Sequence, residues 1–298
     1  MAAAAEVAAM RRAIALSGAG LGTTSPNPPV GCVVLDPAGE VAGEGYHQRK
    51  GEAHAEARAL AAAGPLADGG TAVVTLEPCN HQGRTAPCRQ ALIDARVSRV
   101  VIGVIDPTSR DGGGAAALRA AGVDVETGVL ADEARVVLGS WLTALEARRP
   151  VLTWPYVISG SGIMALPDGM EDSWRLRLNA DAVLRAGGSV TEAMPGSHGA
   201  GILDIKDAPA DAAASAVLAS LYEGGVRRLL LNGGLEVAAP FLAAGLVDQV
   251  IAYMADEGAS RRPGVALPWP LLPPGFAITR ARRAGTFVRI EGEPEKIR

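Results

Sequence analysis

Three side chains in the first half, His54, Cys79 and Cys88, constrain this chain more than anything else in it. His54 sits in the run G-E-A-H-A-E-A, and the two cysteines bracket the run P-C-N-H-Q-G-R-T-A-P-C. For these groups to act together, the chain must bring a helix start, a loop and a second helix start to one point. Zinc prefers soft, deprotonated ligands in a tetrahedron, and a catalytic zinc keeps one of the four positions open for water. One imidazole and two thiolates supply three ligands and leave the fourth free. Glu56 follows His54 by two residues, close enough to reach a water in that position without binding the metal. With only four His and three Cys in 298 residues, the coincidence is not a by-product of composition. The third cysteine, Cys32, lies in the apolar run Val30 to Leu35 and reads as a small buried hydrophobe.

H-x-E followed by P-C and a second Cys is the signature of zinc-dependent nucleobase deaminases, in which the Glu shuttles the proton. The spacing departs from it in one respect: eight residues, Asn80 to Pro87, separate the cysteines instead of two. A structural zinc knuckle needs a fourth protein ligand, and the window offers no obvious one. The motif predicts Zn2+ as cofactor and hydrolytic removal of an amino group from a ring carbon.

The chain is long enough for two domains of ordinary size, and 48% of its residues are apolar, so each can bury a core. Net charge is −4, and no basic block suited to a phosphate backbone is present. The expected partner is therefore a small molecule and not long nucleic acid. No run of about 20 apolar residues is present, so no membrane span is expected. The N-terminal stretch Met1 to Leu16 is interrupted by Glu6, Arg11 and Arg12 and reads as an amphipathic helix and not a signal peptide. Three cysteines, two of them expected ligands, fit a reducing compartment such as the cytoplasm.

Strand and helix signals alternate along the chain, which predicts layered α/β architecture. Val30 to Leu35 and Val41 to Gly45 read as a hairpin about Asp36-Pro37-Ala38-Gly39. A helix is predicted over His54 to Ala63, a strand over Thr71 to Leu76 and a helix over Cys88 to Ala95. A strand over Arg99 to Ile105, a helix over Gly113 to Ala121, a strand over Val123 to Thr127 and a long helix over Ala131 to Ala147 follow. Cys88 then begins a helix, where the dipole favours its thiolate. Arg148-Arg149-Pro150 marks a boundary between residues 1–147 and 148–298. Beyond it come a strand at Val151 to Ile158, a strand at Gly201 to Ile205 and a helix at Asp211 to Glu223. A strand at Val226 to Leu231, a helix at Leu235 to Ala244 and a strand at Gln249 to Met254 follow. Pro263 to Pro274, with five prolines, must be irregular, and strands at Ile278 to Arg283 and Thr286 to Glu291 close the chain.

With these residues in place, the chain resembles the bifunctional deaminase–reductases of riboflavin biosynthesis. That resemblance rests on Pro26-Asn27-Pro28-Pro29-Val30-Gly31, on Gly45-Tyr46-His47, on His54-Ala55-Glu56 and on Glu77 through Cys88. It implies a three-layer cytidine-deaminase-like domain followed by an α/β domain of dihydrofolate-reductase type, and a homodimer or higher homo-oligomer. The implied substrate is a diaminopyrimidinone carrying a ribosylamino 5′-phosphate. The resemblance further implies that Asn27, His47, His81 and Arg84 contact it. The residue chemistry agrees: Asn offers donor and acceptor to a pyrimidine edge, and His and Arg offer donors to a sugar or phosphate. Arg84 stands where the family often has Lys, which keeps the charge and changes the reach.

The second half departs from the family pattern. The family opens its reductase with V-T-L-K-x-A-x-S-L-D-G, and here the Lys position is Pro155 and the Asp position Ser161. Two acidic positions in a later family run become Ala193 and Met194, and the V-E-G-G loop becomes Leu231-Asn232-Gly233-Gly234. Gly233-Gly234 can let a phosphate approach the backbone or can simply turn a strand into a helix. These losses predict a retained fold without hydride transfer, hence no use of NADPH. Two other readings stay open: a fully bifunctional deaminase and NADPH-dependent reductase, and a non-catalytic assembly protein stabilised by zinc.

Overall fold

The computed structural model describes residues 1–80, 86–109, 113–159, 162–255 and 271–295. The chain divides into two compact units, Met1–Gly139 and Ser140–Arg298.

The first unit is built on a five-stranded sheet. Helix α1 (Ala4–Ser17) leads into strands β1 (Gly31–Leu35) and β2 (Val41–Tyr46). Asp36 makes the turn between the strands, its Oδ1 accepting from the amides of Ala38 and Glu40 at 2.9 and 3.0 Å. Helix α2 (Ala55–Ala63), strand β3 (Thr71–Leu76), helix α3 (Cys88–Asp94), strand β4 (Arg99–Val104), helix α4 (Gly113–Ala120) and strand β5 (Asp124–Thr127) follow. Helix α5 (Ala131–Ala147) runs across the division between the units. The sheet order is β2-β1-β3-β4-β5, antiparallel from β2 to β3 and parallel from β3 to β5.

The continuous apolar runs of β1, β3 and β4 are buried on both faces, as a covered parallel sheet requires. On one face Ala9, Met10 and Ala13 of α1 pack on Val33, Val73 and Val101. On the other, Ala55, Ala59 and Ala63 of α2, Leu92 of α3 and Leu118 of α4 pack on Cys32, Val34, Val74 and Ile102. The result is a three-layer α/β sandwich. Burying one such Leu contributes about 1.5–3 kcal/mol. Two β2 glycines set the seat of α2: a Cβ on Gly43 would fall 2.3 Å from the Ala59 carbonyl oxygen, and one on Gly45 2.5 Å from that of Ala55. Neither position can carry a side chain unless α2, which bears the H-x-E motif, moves.

The second unit has strands β6 (Val151–Ser159) and β7 (Gly162–Ala165), helix α6 (Glu171–Leu178), and strands β8 (Ala182–Arg185) and β9 (Val190–Glu192). Helix α7 (Ala214–Glu223), strand β10 (Arg228–Asn232), helix α8 (Leu235–Ala243) and strands β11 (Gln249–Ala255), β12 (Phe276–Ala284) and β13 (Phe287–Pro294) complete it. Among the described residues the sheet order is β12-β13-β11-β6-β10-β8-β9, with β7 paired to β6. Trp154, Tyr156, Leu218, Leu229 and Leu231 are fully buried in its main core.

The sequence reading of the second half fails in several places, one of them strand β7, which it did not anticipate. Gly201 to Ile205 forms turns and bends and no strand; Gly201 itself has φ +69°, which breaks an extended run. One edge of the sheet is formed instead by β9, paired to β8; neither strand was anticipated, and α6 was also missed. α6 carries five polar or charged residues in its eight, so it shows no apolar stripe. Most of the proline-rich segment Pro263 to Pro274 lies outside the described residues.

Candidate active site

His54 is the residue before the first turn of α2, in extended conformation, and Glu56 lies inside that turn. Cys79 follows β3 after Pro78, and Cys88 opens α3. The ligand atoms of His54, Cys79 and Cys88 all lie within 4.8 Å of one another. His54 Nδ1 faces both thiols, at 3.2 Å from Cys88 Sγ and 3.7 Å from Cys79 Sγ. An imidazole nitrogen and two sulfurs at this separation suit zinc in ligand type and in number, with a fourth position left over.

The two thiols are not equivalent. The Cys88 amide at the start of α3 donates to Cys79 Sγ at 3.3 Å. Hydrogen bonds from the Cys88 thiol and amide and from His54 draw Cys79 down to about 4, against the opposing effect of burial. Cys88 is driven the other way, because it donates its proton to Cys79 and is buried beside Glu56. The helix start therefore stabilises the Cys79 thiolate, not that of Cys88 as the sequence suggested. A divalent cation would replace the proton the two sulfurs share. Cys32 is fully buried in β1, and burial first and the Glu56 charge second push its thiol well up. It is the inert core cysteine its context predicts.

Glu56 is 4% exposed. Burial raises its pKa, opposed by its own backbone amide and by the charge of His54. It also interacts with the Cys88 thiol, which places the carboxyl at the ligand cluster. A carboxyl raised by desolvation is suited to take up and return a proton near neutral pH.

Asn27 and His47 form the adjoining wall. Asn27 Nδ2 lies 3.3 Å from His47 Nε2, and His47 Nδ1 lies 3.4 Å from the Ala53 carbonyl oxygen. His47 is 2% exposed and its ring meets that of His54 edge-on at 5.1 Å between centroids. Desolvation first, and His54 second, lower its pKa to about 4. It is thus a neutral imidazole, with Nδ1–H directed at Ala53 and Nε2 accepting from Asn27. His81 and Arg84 lie outside the described residues.

In the second unit two of the positions that depart from the family pattern, Pro155 and Asn232, line a small crevice. Pro155, Leu166, Ser173, Leu176, Arg177 and Asn232 are among the residues around a cavity of about 10 Å3. Asp168 Oδ1 accepts from Arg177 at 2.6 Å and from Asn232 at 3.2 Å. Gly233-Gly234 is the turn between β10 and α8. The Gly234 amide there donates to Glu236 Oε1 at 2.9 Å, and Trp154 Nε1 donates to the Gly233 carbonyl at 3.0 Å. Ala193 is buried; Ser161 lies outside the described residues. The sequence reading did not find Arg177 or Asp168, because only the folded chain brings Arg177 to the crevice and joins Asp168 to Asn232, 64 positions away.

Fold and site together define a zinc-dependent pyrimidine deaminase of cytidine-deaminase type, followed by a reductase-like domain. Residues 4–104 match the cytidine and deoxycytidylate deaminase zinc-binding region, and residues 197–256 match the RibD C-terminal domain. The riboflavin biosynthesis protein RibD of Mycobacterium tuberculosis is 38% identical over 271 residues, covering 78% of this chain and 80% of that protein. RibD of Escherichia coli is 46% identical over 166 residues, covering 55% of this chain and 45% of that protein. A solved diaminohydroxyphosphoribosylaminopyrimidine deaminase/5-amino-6-(5-phosphoribosylamino)uracil reductase from Thermotoga maritima superposes with a TM-score of 0.79 at 25% identity, covering 98% of this chain and 99% of its own. Acinetobacter baumannii RibD does so with a TM-score of 0.77 at 26% identity, covering 98% and 99%. The chain belongs to the RibD family, the deaminase–reductases of riboflavin biosynthesis. Among the described residues no helix is long and apolar enough to cross a membrane.

Proposed function

We propose that residues 1–147 deaminate a phosphorylated diaminopyrimidinone ribosylamine, or a relative of it, and that residues 148–298 keep the reductase fold without its activity. The observation that carries the first half is the cluster of His54, Cys79 and Cys88 within 4.8 Å, with the Glu56 carboxyl buried against it. A zinc ion held by these three residues would supply Lewis-acid activation of a water. Glu56 would take a proton from that water as the water oxygen bonds to the amine-bearing ring carbon, and would deliver it to the amino nitrogen as the carbon–nitrogen bond breaks and ammonia leaves. Asn27, oriented by His47, offers its amide to the pyrimidine edge. Arg84 and His81 are assigned to the sugar phosphate by family likeness.

Two features support the loss of hydride transfer. Among the described residues, the crevice lined by Pro155 and Asn232, two positions that depart from the family pattern, has a volume of about 10 Å3, room for roughly one water. The Glu236 carboxylate occupies the start of α8, where a phosphate would need free amides, and two anions there would repel. The residues present do not suit NADPH. What remains for this domain is packing, support of the deaminase or self-association.

The test is elemental analysis together with assays of both steps. One zinc per chain and ammonia release from the phosphorylated diaminopyrimidinone are expected, with no NADPH oxidation on the deaminated product. NADPH turnover at roughly 1 s⁻¹ or faster, an ordinary enzymatic rate, would restore the bifunctional reading.

A further inference from the structure

Several polar groups outside the ligand cluster converge on one buried carboxylate. Glu77, 5% exposed, is the first residue after β3 and is separated from Cys79 only by Pro78. Its Oε2 accepts from the Asp106 amide at 3.2 Å and the Ser109 hydroxyl at 2.9 Å, and its Oε1 from the Ala115 amide at 2.9 Å. Its own amide donates to the Val104 carbonyl at 2.9 Å.

The glycines that open α4 are fitted to the same point. A Cβ on Gly113 would fall 2.2 Å from Glu77 Oε1, and one on Gly114 1.9 Å from the Pro78 carbonyl oxygen. Gly113 also has φ +75°, a conformation that disfavours any side chain. The chain thus gives up side chains at two helix positions to seat α4 on Glu77-Pro78.

A helix cap can be supplied from anywhere in a chain. Here it comes from the residue that leads, through a proline with fixed φ, into a ligand cysteine. Any displacement of Glu77 is therefore passed to Cys79. On its other side Cys79 is held by the Cys88 amide on its sulfur, at 3.3 Å, and by the Arg89 amide on its carbonyl, at 3.4 Å. Cys79 is pinned from both directions, and Glu77 is the pin on the β3 side.

We infer that Glu77 is a positioning residue of the deaminase: it locks the β3–Cys79 connection to Asp106, Ser109 and Ala115, so that the Cys79 sulfur is presented to the metal at a fixed place. This rests on the reading that His54, Cys79 and Cys88 hold zinc. Groups behind the ligands that fix their orientation typically matter by 10–100-fold in metal affinity or activity.

The experiment compares the full-length wild type with Glu77→Ala and Glu77→Gln by zinc competition against a chelator, by the absorption of the cobalt-substituted protein, and by kcat and KM. Glu77→Ala should hold zinc 10–100-fold more weakly, with altered cobalt–thiolate bands. Its kcat should fall while KM stays within about twofold, since substrate contacts are untouched. Gln keeps a carbonyl oxygen for the Ala115 amide, but its NH2 cannot accept from Asp106. It should recover part of the zinc affinity and part of kcat. A folded Glu77→Ala protein with wild-type zinc affinity and cobalt spectrum would overturn the inference and leave Glu77 a helix cap only. If the Ala variant does not fold, Glu77→Gln decides on the same two readouts: wild-type values overturn the inference, and intermediate values support it. A wild-type protein that takes up no zinc would fail one step earlier and overturn the metal reading itself.

Discussion

At the head of α2, His54, Cys79 and Cys88 bring their ligand atoms within 4.8 Å of one another, and Glu56 is buried against them. Beside β6 and the end of β10, Arg177 and Asn232 line a cavity of about 10 Å3 and both donate to Asp168. Both units are well-packed α/β domains, and both belong to a family with two chemistries. The difference teaches that a fold and its site are separately maintained. Core packing depends on apolar pattern, which survives in both halves. A site depends on which polar groups are brought together: in the first unit they are soft metal ligands, and in the second Arg177 and Asn232 both donate to Asp168 while Asn232 Oδ1 is buried without a partner among the described residues.

The largest expected effect tests the open site. Glu56→Gln should keep zinc and fold, because the amide has the same shape, yet lower kcat by about 10²–10⁴-fold because it cannot carry a proton. An unchanged rate would assign proton transfer to another group and blur the contrast between the two regions. Calorimetric titration of the same protein with NADPH should give no saturable heat. A tight, stoichiometric NADPH complex would break the contrast outright.

The next effect concerns the anionic end of the substrate. Arg84→Ala should raise KM for the phosphorylated substrate by about 10–100-fold, corresponding to a charge-assisted contact of about 1.5–3 kcal/mol. KM for the dephosphorylated form should move little. Equal shifts for both would give Arg84 a role in the loop alone.

A smaller change should separate stability from chemistry. Asp181 in the second unit is fully buried, accepting from the amides of Arg227 and Arg228 at 2.7 and 2.9 Å and lying 3.1 Å from His198 Nε2. Asp181→Ala leaves those donors buried without partners, at a cost of about 1–3 kcal/mol each. The denaturant midpoint should fall while deaminase kcat at low temperature is kept. Loss of kcat in folded protein would show that the second unit contributes to the chemistry.

The smallest effect is spectroscopic. Because burial holds His47 at about 4, the folded state binds fewer protons than the unfolded chain between that value and 6.5. Its contribution to stability is therefore present above 6.5 and is lost as pH falls toward 4. NMR of the His47 ring should show no proton uptake from pH 8 to pH 5.5. A midpoint near 6.5 would mean the ring is solvated, and the orientation of Asn27 would lose its support.

Much of this molecule can be read from the chain alone. The apolar runs of β1, β3 and β4 and the bounds of β3 and α5 follow from local composition and turn residues, which act over a few positions. The spacing of His54, Glu56, Cys79 and Cys88 named the metal and the reaction, because only a few residue types can do that chemistry. The second half was harder. α6 is short and polar, β8 and β9 are short strands at the sheet edge, and Gly201 to Ile205 looked extended until its glycine was seen in a left-handed turn.

What the sequence determined, then, was the inventory: which side chains can hold a soft cation, which can move a proton, and which segments must be buried. Tertiary structure decided the pairings. It gave the α3 amide to Cys79 and not to its own residue, Cys88. It set Glu77 against Asp106, Ser109 and Ala115, about thirty or more positions away. Propensity and ligand chemistry are properties of residues and their near neighbours. A hydrogen-bond partner distant in sequence is chosen only when the apolar layers close and every buried donor and acceptor must find what is left within reach.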